Sequence, residues 1–186
     1  MPRSSVVTAE RFAKGYTYKD YLASIKANKD QFERNEKEFK LKPEDAKFFA
    51  DQGKKLAGVK VVAIGEDWCP DVWRGLPIIA RVAEVAALEL RVFPRDQNMD
   101  IENEYLNQGK YASIPVFAFY GAGFRPLKHW TERPQTAYEF YDKLNKELAS
   151  MPEEQARTER RSRSAPEQEN WRQETVKELK QLLLGL

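Results

Sequence analysis

The chain has 186 residues, 41% hydrophobic and 32% charged, which is enough to bury one domain core with segments left over and too apolar for a wholly disordered chain. Its 31 basic and 29 acidic side chains nearly cancel, to a net charge of +2, so charge gives no argument for a nucleic-acid or membrane partner. There is no signal-like apolar run at the N-terminus and no stretch approaching the roughly 18 apolar residues of a membrane span, and a lone cysteine excludes an internal disulfide framework, so the expectation is a soluble, cytoplasmic protein.

Residues 1–42 read as a helical arm, in which Tyr21, Leu22, Ile25, Phe32 and Phe39 make a sparse helical stripe over residues 20–39. Pro43 followed by Glu44 and Asp45 starts the next helix, because proline suits a first helical turn and acids face the positive end of the helix dipole; Gly58 stops it. Residues 59–64 form a short run, apolar and β-branched apart from Lys60, with the pattern of a parallel strand buried on both faces. A helix over residues 71–88 and a strand over 89–93 complete a βαβ unit. A short helix is expected over 101–106, with Gly109 placed to end it, and strands over 115–120 and 127–131 flank a glycine-bearing hairpin turn. A helix over 136–149 closes the domain, which spans residues 43–149. Residues 150–166 lack an apolar stripe and read as a solvated linker, with the basic run 157–163 interrupted by Thr158, Glu159 and Ser162 and free of aromatics. Trp171, Thr175, Leu179, Leu182, Leu183 and Leu186 then recur at helical spacing, giving a C-terminal amphipathic helix over 167–186.

The chemistry concentrates at Asp67-Trp68-Cys69-Pro70-Asp71-Val72, between the first strand and the long helix. Pro70 forces the residue before it into extended backbone and itself fits the first helical position, which makes Cys69 the N-cap. There its sulfur faces unsatisfied N–H groups and the positive end of the helix dipole, which favour a thiolate and point to an exposed, reactive thiol. Asp67 and Asp71 act the other way, since a nearby carboxylate disfavours a second negative charge. Trp68 would form an apolar wall beside the sulfur.

Trp68-Cys69-x-x resembles the opening of the thioredoxin-family Trp-Cys-x-x-Cys motif. Two further marks agree: Pro77, eight residues after Cys69, matches the helix-kinking proline, and Ser113-Ile114-Pro115-Val116 resembles the cis-proline loop that leads into the family's antiparallel hairpin. The resemblance covers residues 43–149 and implies an α/β fold, a mixed central sheet flanked by helices, with extra N- and C-terminal helices outside it. It also implies a groove in which Cys69 is the attacking sulfur and Trp68, Pro70, Ile114 and Pro115 contact the substrate, the backbone at Ile114 pairing with an extended client segment. Two departures matter: Val72 replaces the second cysteine, and Ala63 replaces the acid that dithiol members carry on the strand. Gly121-Ala122-Gly123-Phe124 offers glycines without the acidic partner of glutaredoxin-like glutathione sites. The expectation is therefore thiol redox chemistry through one cysteine, with protein clients or a low-molecular-weight thiol as partner or co-substrate. No metal or other cofactor is expected, and the terminal helices are available for a homodimer contact. The alternative is a non-catalytic binding or adaptor module on the same fold.

Overall fold

The computed structural model describes residues 5–186. In chain order it contains α1 (Ala9–Ala13), α2 (Tyr18–Ser24), α3 (Lys29–Glu38), α4 (Pro43–Lys55), β1 (Lys60–Gly65), α5 (Pro70–Val85) and β2 (Glu89–Pro94). There follow α6 (Met99–Glu102), β3 (Val116–Tyr120), β4 (Pro126–Thr131), α7 (Gln135–Glu147), α8 (Glu153–Ser164) and α9 (Gln168–Leu184). The sheet runs β2-β1-β3-β4, with β1 parallel to β2 and antiparallel to β3, and β3 antiparallel to β4. This is a mixed four-stranded sheet with helices around it, the α/β arrangement expected from the sequence. β1 lies inside the sheet, and Val61, Val62, Ala63 and Ile64 are each 0% exposed, which is why its residues are apolar without alternation.

The stripe over residues 20–39 falls on two helices, α2 and α3, rather than one. Between Ser24 and Lys29 the backbone turns away, Asn28 takes a left-handed φ of 56°, and the N–H groups of Lys26 and Ala27 go to the Asp67 carboxylate instead of to helical carbonyls. Upstream, Tyr16 exchanges two backbone hydrogen bonds with Val92, of 2.9 and 2.8 Å, and so covers the outer edge of β2. α3 lies on α5, carrying Phe32 into the core.

The segment read as a linker is helical over Glu153–Ser164. Its sequence lacks an apolar stripe because the helix is held by other means. Glu153 and Glu154 occupy the first turn and Arg161 and Arg163 the last, matching the helix dipole, while Arg160 and Arg163 pair with Glu153 and Glu147. Ala156, 1% exposed, is the contact that seats it against Leu144 and Leu148. The expected helix at 101–106 is a single turn, Met99–Glu102. α9 buries Trp171, Val176, Leu179 and Leu183 against α4, α5, α7 and β4, so the C-terminal stripe is spent inside this chain.

Candidate functional site

β1 delivers the chain to Gly65, and α5 begins five residues later. The helix start seats directly on the strand end: a Cβ added at Gly65 would lie 2.7 Å from Val72 Cγ1. Cys69 is the N-cap of α5 with extended backbone (φ −93°, ψ 120°), Pro70 takes the first turn, and the Cys69 carbonyl accepts the Val72 and Trp73 N–H groups at 3.0 and 3.1 Å. From this position Sγ donates a hydrogen bond to the Ile114 carbonyl at 3.6 Å. The Ile114–Pro115 peptide bond is cis, and Pro115 lies against α5 where residue 75 is glycine; a Cβ there would stand 3.1 Å from Pro115 Cγ. The structure thus brings Cys69, Ile114 and Pro115 together, with Pro70 exposed at the mouth and Trp68 49% exposed beside it.

The thiol itself is not exposed, against the expectation from its N-cap position. Cys69 is 9% exposed. Burial, with the Asp71 carboxylate second, pushes the thiol above its ordinary range, against the weaker opposing pull of the Val72 and Asp71 amides and of Arg133. The helix terminus acts in the expected direction, and loss of solvent outweighs it. Asp71 is itself clamped: Arg74 pairs with one carboxylate oxygen, and Arg133 with the other at 2.6 Å while also holding Glu132 at 2.6 Å. Trp68 carries the Arg95 guanidinium over its ring at 4.9 Å; Arg95 in turn donates to the Ala112 carbonyl at 3.2 Å, next to the proline loop.

The arm reaches this loop through Asp67. Its carboxylate accepts the Lys26 and Ala27 N–H groups at 3.2 and 3.1 Å, and its carbonyl accepts Asn28 Nδ2 at 3.0 Å and Trp73 Nε1 at 2.6 Å. Asp67 therefore fixes the connection between α2 and α3 to the cysteine loop. Tyr21, in the middle of α2, is 2% exposed and brings its hydroxyl within electrostatic reach of Glu66, Asp67 and Cys69.

Sequence reasoning did not find Tyr21, Arg95 or Arg133. Arg95 had a signal: parallel strands β1 and β2 end side by side, and the residues after strand C-termini are where sites in such sheets collect. Tyr21 and Arg133 carried none, since their place near Cys69 depends on how the arm and the β4–α7 corner pack. Among the described residues no group of three or more His, Cys, Asp or Glu is arranged to hold a metal ion, and no helix is long and apolar enough to cross a membrane. A cleft of about 640 Å³ lies elsewhere, between α2, the α3–α4 connection and α5, and includes none of Cys69, Ile114 or Pro115. The chemistry lies instead with the thiol and its carbonyl partner.

A family model described as thioredoxin matches residues 15–149, so the match takes in most of the arm as well as residues 43–149. No curated protein matches the chain. Among solved structures, a protein of unknown function from Pseudomonas aeruginosa is similar with a TM-score of 0.68 at 16% identity, over 98% of this chain and 99% of its own. An HIV epitope-scaffold is similar with a TM-score of 0.66, also at 16% identity and over 98% and 99% of the two chains. At that identity the two likenesses show a shared fold.

Proposed function

The chain belongs to the thioredoxin family, and from that premise we propose that it acts in thiol chemistry through Cys69 alone, without dithiol disulfide reduction. Cys69 loses its proton and attacks one sulfur of a disulfide; the new S–S bond forms as the old one breaks, and the departing thiolate takes up a proton. A sulfenic acid would be attacked in the same way with water leaving, and the disulfide form of a low-molecular-weight thiol would cap Cys69 reversibly by the same exchange, releasing one free thiol. With no second cysteine in the chain, release of any mixed disulfide requires an outside thiol. The observation that carries this reading is the placement of Sγ at the α5 N-cap, hydrogen-bonded to the Ile114 carbonyl beside Pro115. Ionising the thiol removes that hydrogen bond and frees the carbonyl for a client N–H, so the two halves of the site would engage together.

The second reading, a non-catalytic binding or adaptor module, is favoured by the burial of Cys69 and the upward push on its thiol. Mass spectrometry and alkylation separate the two. The redox reading expects one adduct at Cys69 after treatment with oxidant plus a small thiol, reversed by reductant and missing in Cys69→Ser, and an alkylation rate that rises with pH above the usual cysteine range. Absence of any adduct under conditions that modify a free peptide thiol leaves the adaptor.

A further inference from the structure

β3 and β4 pair with Val116 opposite Thr131, so the next residue after β4 comes level with Pro115, and the Glu132 N–H donates to the Pro115 carbonyl at 2.7 Å. The chain turns sharply there. Glu132 takes a left-handed φ of 65°, in which a side chain crowds its own backbone, and the Arg133 N–H closes onto the Thr131 carbonyl at 2.9 Å. The Glu132 carboxylate braces the turn, accepting Arg133 Nη2 at 2.6 Å, the Tyr138 hydroxyl at 2.8 Å and Asn107 Nδ2 at 3.0 Å. A strained corner held from several sides delivers its neighbour to a fixed place.

That neighbour is Arg133. From the corner it reaches the first turn of α5, where the same Nη2 donates to Asp71 Oδ2 at 2.6 Å, and its guanidinium lies 4.8 Å from the Tyr141 ring centroid and 5.7 Å from that of Tyr138. Its Nε is buried with no hydrogen-bond partner. Desolvating a guanidinium is costly, and Asp71 already has Arg74 on its other oxygen, so the fold has no need of a second cation there. What Arg133 adds is positive charge close to Cys69, whose thiol it draws downward against burial and Asp71. The other cations near the sulfur are committed elsewhere: Arg74 to Asp71 and to Gln168 Oε1 at 3.1 Å, Arg95 to Asp96 and the Trp68 ring. The remaining groups facing it are acidic or neutral. Glu66 takes the Asp96 N–H, Asp67 takes the Lys26 and Ala27 N–H groups, and α2 contributes the Tyr21 hydroxyl.

We propose that Arg133 is a positioning residue of the Cys69 reaction: held by Glu132 at the corner beside Pro115, its guanidinium fixes Asp71 and supplies the positive charge that the Cys69 thiolate meets when it forms. The inference rests on the thiol-exchange reading above. No bond of the exchange is made to Arg133. The Sγ proton leaves to solvent, the thiolate attacks the client disulfide as described, and Arg133 changes only how much of Cys69 is thiolate at a given pH. One corner thus serves both halves of the site, since Glu132 holds the proline-loop backbone through the Pro115 carbonyl while Arg133 acts on the sulfur.

The test follows the rate of Cys69 alkylation by iodoacetamide, an uncharged probe, against pH in the full chain. Arg133→Met keeps a straight stem against Tyr138 and Tyr141 and removes the charge; the midpoint should rise by about one pH unit, with the plateau at high pH no lower. Arg133→Gln, which keeps an N–H donor for Asp71 and Glu132, should move it the same way and guards against loss of the fold in Arg133→Met. Arg133→Lys restores a charge without the planar fork and should recover at least half of the shift. Asp71→Asn should move the midpoint in the opposite direction. An unchanged midpoint in folded Arg133→Met and Arg133→Gln, or a rise that Arg133→Lys does not reverse, overturns the role of Arg133 and leaves the exchange chemistry standing. That chemistry is read separately, as a mixed disulfide at Cys69 formed from 2-hydroxyethyl disulfide and detected by mass spectrometry. Its absence in the unaltered protein, where a free cysteine peptide exchanges, removes the exchange reading and this role with it.

Discussion

Glu102 sits in the last turn of α6 with 0% of its surface exposed, and neither carboxylate oxygen has a hydrogen-bond partner. Burial pushes its pKa up to about 7, against the lowering influence of Arg95. A carboxyl raised in the folded state stabilises the fold while it remains protonated. That contribution is complete below its unfolded value near 4.5 and is lost as pH rises through about 7. Glu102→Gln removes the charge and keeps the shape. The expected outcome is a melting temperature close to that of the unaltered protein at pH 5 and several degrees above it at pH 8, the comparison at each pH cancelling His129, Cys69 and every other titrating group. A constant difference across that range would mean that Glu102 is already ionised and solvated in the fold. Nothing in the sequence marked this residue, because a glutamate in a short polar stretch reads as surface; its burial is set by what packs over α6.

Among the elements, those that bury a continuous apolar face were legible and those held by polar contacts were not. β1, α5, β2 and the β3–β4 hairpin follow from runs of apolar residues bounded by Gly and Pro, and with them came the position of Cys69 at a helix start. The break between α2 and α3 was invisible because its hydrogen bonds end on Asp67, a residue 40 positions away from Ala27. α8 was missed because Glu–Arg pairs and the helix dipole stabilise it where hydrophobic periodicity is the usual signal. The crossing of α4 and α5 also depends on one residue whose reason appears only in three dimensions. A Cβ built on Gly53 of α4 would fall 1.9 Å from the Ala86 carbonyl oxygen at the end of α5, a backbone atom that cannot swing aside. Gly53→Ala gains helix propensity of about 1 kcal/mol and should nonetheless destabilise by a net ~1–3 kcal/mol, because the helices must separate. Urea denaturation measures this; a neutral or stabilised variant would show that α4 and α5 are not packed so closely.

Over the whole molecule, the C-terminal helix is tied to the cysteine through a chain of contacts. Trp171 of α9 is 1% exposed, lies against Phe140 and Tyr141 of α7 with ring centroids 5.3 and 5.4 Å away, and receives the Arg74 guanidinium over its own ring at 5.2 Å. Arg74 is fixed further by Gln168 Oε1 at 3.1 Å and pairs with Asp71, the carboxylate that opposes ionisation of Cys69. A helix that reads in the sequence as an appendage thus bears on the charge next to the thiol. Trp171→Ala should cost ~3–5 kcal/mol as a large buried aromatic removed from a packed junction, lowering the melting temperature by roughly 6–20 °C. Its second effect separates this route from simple loss of packing. With the ring gone, Arg74 loses its platform, neutralises Asp71 less, and the pH midpoint for Cys69 alkylation should move further up; Trp171→Phe, which keeps an aromatic face under the guanidinium, should recover part of that shift even where stability stays low. If both variants lose stability and neither moves the alkylation midpoint, Asp71 is held by Arg133 alone and the C-terminal helix supports the fold without reaching the site.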